Sequence, residues 1–262
     1  MSNALITPDP WDYLRRFTKA RIALGRCGAS LPTTAQLAFQ LDHAQARDAV
    51  HLPLDLSAMR ASLQGFGLPL LEVDSQAGDR STYLQRPDLG RRLDTASRQR
   101  LLAQASAQGF DACFVIADGL SALALHRHVG PLLERVLPPV QAADWRLAPL
   151  VLARQARVAL GDEIGYCLQA RLLVMLIGER PGLSSPDSLG VYLTWNPHPG
   201  CRDAERNCLS NIRPAGLDYD LAAHKLLYLM HGARQFGQTG LGLKDAAPPL
   251  AREERPASLA DG

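Results

Sequence analysis

The sequence predicts an α/β protein, with a helical N-terminal part followed by a Rossmann-like, mainly parallel sheet with flanking helices. Two apolar runs of strand length, residues 112–117 (ACFVIA) and 172–177 (LLVMLI), are bounded by turn residues. Continuous apolar runs of this kind are typical of strands that are buried on both faces. Because segments of helical character separate the predicted strands, the pattern favours parallel strands joined by right-handed crossovers.

Residues 1–108 form the predicted helical part. Apolar residues from Trp11 to Ile22 lie at loosely helical spacing, which indicates a first helix within residues 8–30. The basic side chains of this helix form either a solvated face or a surface for an acidic partner. The further predicted elements are a helix after Pro32 capped by Thr33 or Thr34, short strands around residues 70–73 and 81–84, and a helix capped by Asp94 that runs to residue 108.

Residues 109–244 form the predicted Rossmann-like domain, and residues 245–262 a flexible tail rich in alanine, proline and charge. The predicted strands are residues 112–117, 146–152, 172–177 and 190–195, the second of which Pro149 interrupts. Three helices are predicted in this domain: one that begins after residue 121, one over residues 161–169 and one over residues 220–236.

The composition excludes several classes of protein. The net charge of +2 provides no electrostatic basis for nucleic acid as a general partner. No apolar stretch approaches the roughly 20 residues that span a bilayer, and the N-terminus lacks the basic start and apolar core of a secretory signal. The five cysteines are odd in number and form no Cys-x-x-Cys pair, so we expect reduced thiols in a cytoplasmic protein.

No complete catalytic motif occurs in the sequence. The Gly-rich dinucleotide and phosphate loops, the Gly-x-Ser-x-Gly elbow and the His-Glu-x-x-His zinc motif are all missing. His126 and His128 lie two residues apart, but no cysteine or carboxylate cluster completes a metal site around them. The sequence therefore predicts no metal site.

Polar residues that follow the predicted strands are the candidate binding residues. Asp118 either orients a ligand at a strand end or caps its own turn. Glu179 either accepts hydrogen bonds from a ligand or pairs with Arg180, and the glycines on either side of it, Gly178 and Gly182, would let a bulky ligand approach the backbone. A stand-alone α/β hydrolase or transferase that uses Asp118 and Glu179 is one hypothesis.

Cys208 lies in a polar segment, NCLSNI, that we interpret as a loop. A nucleophilic cysteine needs a base or a helix N-terminus that lowers its pKa, and the sequence offers no such partner. A buried or ligand-lining thiol is therefore the favoured interpretation.

Several segments together resemble the small subunit of ethanolamine ammonia-lyase. They occur in family order over residues 10–235, and each alone is a weak signal. The matching segments are residues 21–28 (RIALGRCG), 42–43 (DH), 86–93 (RPDLGRRL), 118–121 (DGLS), 178–183 (GERPGL) and 208–212 (CLSNI).

The resemblance implies a subunit that holds one side of adenosylcobalamin, with Val158, Glu179 and Cys208 as the cofactor-binding residues. It also implies a large, TIM-barrel subunit that carries the substrate pocket and that contacts the helical N-terminal part. The assembled lyase would convert ethanolamine to acetaldehyde and ammonia by radical chemistry that belongs to the cofactor, so the resemblance implies no catalytic residue in this subunit. A cobalamin carrier without lyase activity is the alternative binding hypothesis.

Two sequence features refine these expectations. Many cobalamin proteins replace the cofactor's own base, on the lower face of the cobalt, with the histidine of an Asp-x-His-x-x-Gly motif. This motif does not occur here, so we expect the cofactor's own base to stay on cobalt. Some members of the family carry a longer N-terminal extension that directs them to a bacterial microcompartment. This sequence begins close to the first matching segment, so we expect a cytoplasmic location, with the microcompartment as the alternative.

Overall fold

A computed structural model describes residues 5–250, and a six-stranded sheet lies at the centre of the fold. The strands are β1 (Leu70–Asp74), β2 (Phe110–Ala117), β3 (Leu150–Arg154), β4 (Ala170–Gly178), β5 (Leu189–Trp195) and β6 (Arg206–Ile212). They lie in the order β1-β3-β2-β4-β5-β6. The first four strands in this order pair in parallel, whereas β5 pairs antiparallel with both of its neighbours, β4 and β6. The α/β class and the mainly parallel sheet are confirmed, and the Rossmann-like detail stays a prediction.

Helices cover both faces of the sheet. They are α1 (Thr33–His51), α2 (Leu56–Gln64), α3 (Arg80–Gln85), α4 (Thr95–Leu102), α5 (Ala122–Ala142), α6 (Val158–Cys167) and α7 (Tyr219–Phe236). Alternate residues of β2 belong to two separate hydrophobic cores. Phe114 packs in the core that α2, α5 and α7 cover, and Val115 packs in the core that α4 and α6 cover. Burial on both faces explains why the central strands are continuously apolar.

The two crossovers that start at β2 and β3 leave the sheet on opposite faces. The chain passes from β2 into α5 on one face, and from the neighbouring β3 into α6 on the other. Diverging connections of this kind open a crevice beyond the carboxyl ends of the strands, where ligands bind in open α/β sheets. Within residues 5–250, no helix combines the length and the apolar character that crossing a membrane requires.

The predicted first helix is wrong. Residues 8–30 contain only a short 3-10 helix, Asp12–Phe17, and the chain is extended at Thr18. Backbone bonds then join Thr7 to Arg26. Glycine at position 25, with φ +75°, lets the returning chain pass close to Thr7, since a Cβ there would lie 2.9 Å from the Thr7 carbonyl oxygen. A closed loop thus replaces the regular helix that the apolar spacing indicated.

Capping explains several other differences. The segment 81–84, predicted as a strand, lies in α3, because the Asp79 carboxylate caps that helix through the Thr82 amide at 2.9 Å. In the same way Asp55 caps α2, which the sequence analysis missed. α1 begins at Thr33 as predicted, but no threonine side chain caps it, because Pro32 is the N-cap residue.

The remaining differences concern where elements begin and end. Asp94 caps α4 as predicted, through the Ser97 amide, but the helix ends at Leu102 rather than at residue 108. The predicted strand 146–152 begins only at Leu150, after Pro149, which has no backbone N–H to donate. β1 precedes the predicted boundary at residue 108 and is an edge strand of the same sheet. Of the predicted tail, residues 251–262 lie outside the described residues.

Candidate functional site

Two adjoining depressions lie at the carboxyl ends of the parallel strands, and we call them together the two-lobed pocket. The larger lobe has a volume of about 840 Å³ and the smaller lobe about 370 Å³. Arg157, Val158 and Tyr192 line both lobes, so the two depressions are continuous. Cys208 lines the larger lobe and Glu179 the smaller one. The fold thus brings to one pocket the three residues that the family resemblance assigns to cobalamin.

Val158 is the first residue of α6, and its half-buried side chain forms the shared wall. The N-cap residue of this helix is Arg157, whose side chain makes no bond to the amides of the first turn. These amides carry the partial positive charge of a helix N-terminus. The α6 end of the pocket therefore combines an apolar side chain with backbone donors.

Glu179 follows β4 directly, and its carboxylate reaches across to β6. It accepts hydrogen bonds from the Ser210 hydroxyl at 2.5 Å and from the Asn211 amide at 3.1 Å. The intervening strand β5 leaves room for this contact through a glycine: a Cβ at Gly190 would lie 2.9 Å from the Glu179 carboxylate. The alternative pairing with Arg180 does not occur among the ion pairs of residues 5–250.

Cys208 lies in strand β6, and the prediction of a loop there is wrong. It is the cross-strand partner of Tyr192 on β5, and both side chains line the larger lobe. Burial raises the pKa of the Cys208 thiol, and the nearby Glu179 carboxylate raises it further, whereas a hydrogen bond with Tyr192 lowers it. A thiol held neutral in this way is suited to contact with a ligand and is a poor nucleophile.

Tyr192 is a pocket residue that the sequence analysis missed. Burial raises the pKa of its hydroxyl, and the Cys208 thiol and the Glu179 carboxylate act in the same direction. Its signal in the sequence was a single phenol within the apolar strand GVYLTW, which places one polar group on a surface that is otherwise apolar.

Asp118 is buried beneath the pocket and lines neither lobe. Its carboxylate accepts hydrogen bonds from the Gln155 amide at 2.9 Å and from the Ala156 amide at 3.2 Å. Burial raises the pKa of this carboxyl, and these two backbone bonds oppose the shift. Asp118 therefore fixes the loop after β3 to the loop after β2 instead of capping its own turn, and the structure gives a substrate no access to it.

The two glycines near Glu179 allow close internal packing, and Gly178 also lines the smaller lobe, so the expectation that they let a bulky ligand approach the backbone stays a prediction. A Cβ at Gly178 would lie 2.1 Å from the Ser121 carbonyl oxygen, and one at Gly182 would lie 2.8 Å from the Ser185 hydroxyl. The Gly178 carbonyl also accepts a hydrogen bond from the Leu120 amide at 2.9 Å. The chain after β2 thus packs directly on the end of β4.

The comparisons with known proteins agree with one another. The family model for "Ethanolamine ammonia-lyase light chain (EutC)" matches residues 8–244. An ethanolamine ammonia-lyase small subunit of Ralstonia nicotianae is 56% identical over 98% of this chain and 97% of its own length. Those of Pseudomonas fluorescens and Azotobacter vinelandii are each 58% identical, over 91% and 92% of this chain and 88% and 90% of their own lengths.

This chain belongs to the ethanolamine ammonia-lyase small-subunit family. It is thereby a subunit of a carbon–nitrogen lyase rather than a hydrolase or transferase. The chain covers nearly the whole length of these relatives, so the family assignment applies to the entire described fold.

Segments that carry the family resemblance meet around the two-lobed pocket. The segment 118–121 contacts the segment 178–183 through Leu120 and Gly178, and the segment 208–212 holds Glu179. The segment 86–93 packs on the start of α6, where the Gly90 carbonyl accepts a hydrogen bond from the Arg157 amide at 2.8 Å. Motifs that are far apart in the small-subunit sequence therefore build one surface.

A buried ion pair supports the wall of the larger lobe. Arg206 of β6 binds Asp162 of α6 through its Nη2 atom, and it binds the exposed Asp203 at 2.9 Å. Burial raises the pKa of Asp162 to about 6, although Arg206 acts to lower it. The pair joins α6, which carries Val158, to β6, which carries Cys208.

Proposed function

We propose that this chain is the small subunit of an adenosylcobalamin-dependent ethanolamine ammonia-lyase, and that it holds and orients cobalamin at the interface with a large catalytic subunit. The observation that carries the proposal is the convergence of Val158, Glu179 and Cys208 on the two-lobed pocket. The family resemblance assigns these residues to the cofactor, and they come from three separate segments. Their meeting at one pocket supports that assignment.

The residues of the pocket suit a corrin ring, which has broad apolar faces and a rim of amide side arms. Val158, Cys208 and the Tyr192 ring offer apolar contact. The Glu179 carboxylate has about four acceptor positions, of which Ser210 and Asn211 use two, so it can accept further bonds from side-arm amides. When bound, adenosylcobalamin supplies the radical that starts the reaction. The residues of this chain bind the ring and fix its orientation.

The pocket is open on one side, and a large ligand in it would leave much of its surface uncovered. Ligand sites usually bury 70–90% or more of a ligand's surface. The large subunit, which by the family resemblance carries the substrate pocket, would cover the rest of the ligand's surface. This arrangement assigns substrate chemistry to the partner and cofactor orientation to this chain.

The N-terminal part supports a docking role toward the large subunit. Most of the exposed large hydrophobic side chains in residues 5–250 precede residue 53, and we call them the N-terminal apolar surface. Within it α1 buries only Ala49, while Leu37 and Leu41 are each 59% exposed. Arg16 and Lys19 lie nearby in the sequence without a carboxylate partner among the described residues. A partner with an apolar patch and acidic neighbours fits this surface.

The experiment that tests the proposal is co-expression and co-purification of this chain with an ethanolamine ammonia-lyase large subunit. Adenosylcobalamin and ethanolamine are then added, and ammonia release is measured. We expect release only when both chains are present. Activity from this chain alone would favour a stand-alone enzyme, and cobalamin binding without activity in any combination would favour a carrier.

A further inference from the structure

The larger lobe of the two-lobed pocket is strongly basic. Arg91, Arg157, Arg202 and Arg206 line it, together with one acidic side chain, Asp203. Of these four arginines, only Arg206 forms ion pairs within residues 5–250, and its carboxylate partners are Asp203 and the buried Asp162. The other three guanidinium groups therefore face the lobe without a compensating charge. None of the three residues predicted to contact cobalamin accounts for them.

The fold holds Arg157 firmly at the edge of this lobe. Its guanidinium lies 4.2 Å from the centroid of the Tyr83 ring, and it donates from Nη2 to the Tyr83 carbonyl at 3.1 Å. The close approach of Gly90, where a Cβ would lie 3.0 Å from the Arg157 Cγ atom, sets Arg91 beside it. The Nε atom of Arg157 is buried and has no acceptor within the described residues.

Arg206 repeats this pattern from the opposite wall. Its side chain is only 4% exposed, yet its Nε atom has no acceptor within residues 5–250. Buried donors normally have partners, because an unpaired donor has lost its hydrogen bonds to water without replacement. The first turn of α6 adds backbone amides without a side-chain cap at the same lobe. Guanidinium groups from two walls and a helix N-terminus therefore converge on a position suited to an anion.

We propose that the arginine-lined part of the larger lobe binds the phosphodiester of the cobalamin nucleotide loop. This inference rests on the proposed function. The side arms of the corrin are neutral amides, and the phosphodiester is the anionic group at the periphery of the cofactor. Because Val158 and Cys208 line the same lobe as the arginines, a ring that contacts them brings its nucleotide loop within reach. The guanidinium fork matches the geometry of phosphate oxygens.

The test compares cobalamin with cobinamide, which lacks the nucleotide loop and its phosphodiester. Hydroxocobalamin and the corresponding cobinamide are titrated into the assembled two-subunit enzyme, and binding is followed by equilibrium dialysis. The variant is the double substitution Arg91→Gln/Arg202→Gln, since both side chains are exposed and unpaired. The matched control is Arg171→Gln, an exposed arginine in β4 that does not line the pocket.

We expect the double variant to bind cobalamin roughly tenfold more weakly and cobinamide as tightly as before, a difference that isolates the contact to the loop. Equal weakening of both ligands, or of neither, would overturn the inference and leave the proposed function standing. Binding of inorganic phosphate with no preference for cobalamin over cobinamide would also overturn it, since the anion would then come from another source. Failure of the wild-type complex to bind either corrinoid would instead contradict the proposed function.

Discussion

The Glu179 carboxylate accepts a hydrogen bond of 2.5 Å from the Ser210 hydroxyl, although β5 separates the strands that carry the two residues. The contact fixes the position of the Glu179 carboxylate. A carboxylate held in place by the protein loses little side-chain entropy when it accepts a further bond from a bound molecule. The relationship therefore prepares Glu179 to bind amide groups at the rim of a corrin.

Substituting Glu179 with alanine should weaken cobalamin binding in the assembled enzyme. The loss of a charge-assisted hydrogen bond corresponds to about 1.5–3 kcal/mol, or roughly 10- to 150-fold in Kd. The fold should remain intact, because the carboxylate lies at the surface of the pocket rather than in a core. Equilibrium dialysis with hydroxocobalamin measures the change in affinity.

The control for Glu179→Ala is Ser210→Ala, which removes the internal partner and keeps the carboxylate. We expect this variant to retain most of the affinity. If Ser210→Ala weakens binding as much as Glu179→Ala does, then Glu179 acts by holding β6. Unchanged affinity in Glu179→Ala would count against its assignment to the cofactor.

Much of the central sheet could be predicted because its strands are apolar without interruption. The runs that became β2 and β4 are buried on both faces, so the pattern alone identified them. The segment NCLSNI was misread because β6 lies at the edge of the sheet and its buried residues, Arg206, Leu209 and Ile212, are three apart instead of alternating. Glu179 was a candidate because it follows a strand and Cys208 because it lies in a polar segment, whereas Val158 came from the family resemblance alone.

The parts that could not be predicted depend on contacts between distant segments. Tyr192 lies in the pocket because β5 turns back antiparallel to β4, which no local pattern reveals. The arginine-lined part of the pocket needs Gly90 to pack on Arg157, and these residues are far apart in the sequence. The closed loop after residue 8 depends in the same way on the return of the chain from Arg26 to Thr7.

Polar substitutions in the N-terminal apolar surface should weaken assembly with the large subunit and leave the fold of this chain unchanged. Leu37→Ser/Leu41→Ser is the informative variant, since both side chains are 59% exposed on α1. Burying a leucine side chain is worth about 1.5–3 kcal/mol, so losing two of them at an interface should raise the Kd at least about tenfold. Analytical ultracentrifugation of the mixed subunits measures it. Leu102→Ser, at a 47% exposed leucine of α4, is the control. Wild-type affinity in the double variant would place the interface elsewhere.

Substituting Gly178 with alanine should destabilise the chain. A Cβ there would lie 2.1 Å from the Ser121 carbonyl and 2.6 Å from the Asp118 carbonyl, and backbone atoms cannot easily move away. Overpacking of this kind costs roughly 1–3 kcal/mol in the free energy of unfolding, which urea titration measures. Gly78→Ala is the matched control, because a Cβ there meets nothing within 4 Å. Equal stability of the two variants would contradict the packing argument.

Breaking the buried pair of Asp162 and Arg206 should cost more than replacing both partners. In Asp162→Leu, the guanidinium of Arg206 stays buried with only the exposed Asp203 as its carboxylate partner. Loss of one partner of a buried pair typically costs about 3–5 kcal/mol, whereas an apolar replacement of both is often nearly neutral. We therefore expect Asp162→Leu/Arg206→Met to recover most of the lost stability in urea titration. Strictly additive losses would show that the two residues do not act as a pair.

His128 should make the chain less stable as the pH falls below its ordinary pKa of 6.5. Its ring is 4% exposed and makes a contact of 2.8 Å with the Tyr219 hydroxyl, and its Nε2 atom lies 3.4 Å from Asp187. Burial lowers its pKa, and the Asp187 carboxylate only partly opposes that effect. At pH values just below 6.5 the unfolded chain therefore binds a proton that the folded chain does not, so the free energy of unfolding declines there. Above this range both states are neutral and the contribution vanishes.

The variant His128→Gln stays uncharged at every pH and should lose less stability between pH values of about 7 and 5 than the wild type does. Urea titrations across this range give the free energy of unfolding of each protein. We expect the value for the variant, relative to that for the wild type, to rise steadily as the pH falls. His51→Gln is the control, since His51 is exposed at the end of α1 and should follow the wild type. If the wild type instead gains stability relative to the variant on acidification, the folded protein binds the proton more tightly than the unfolded chain does. The Asp187 carboxylate would then outweigh the effect of burial on the His128 pKa.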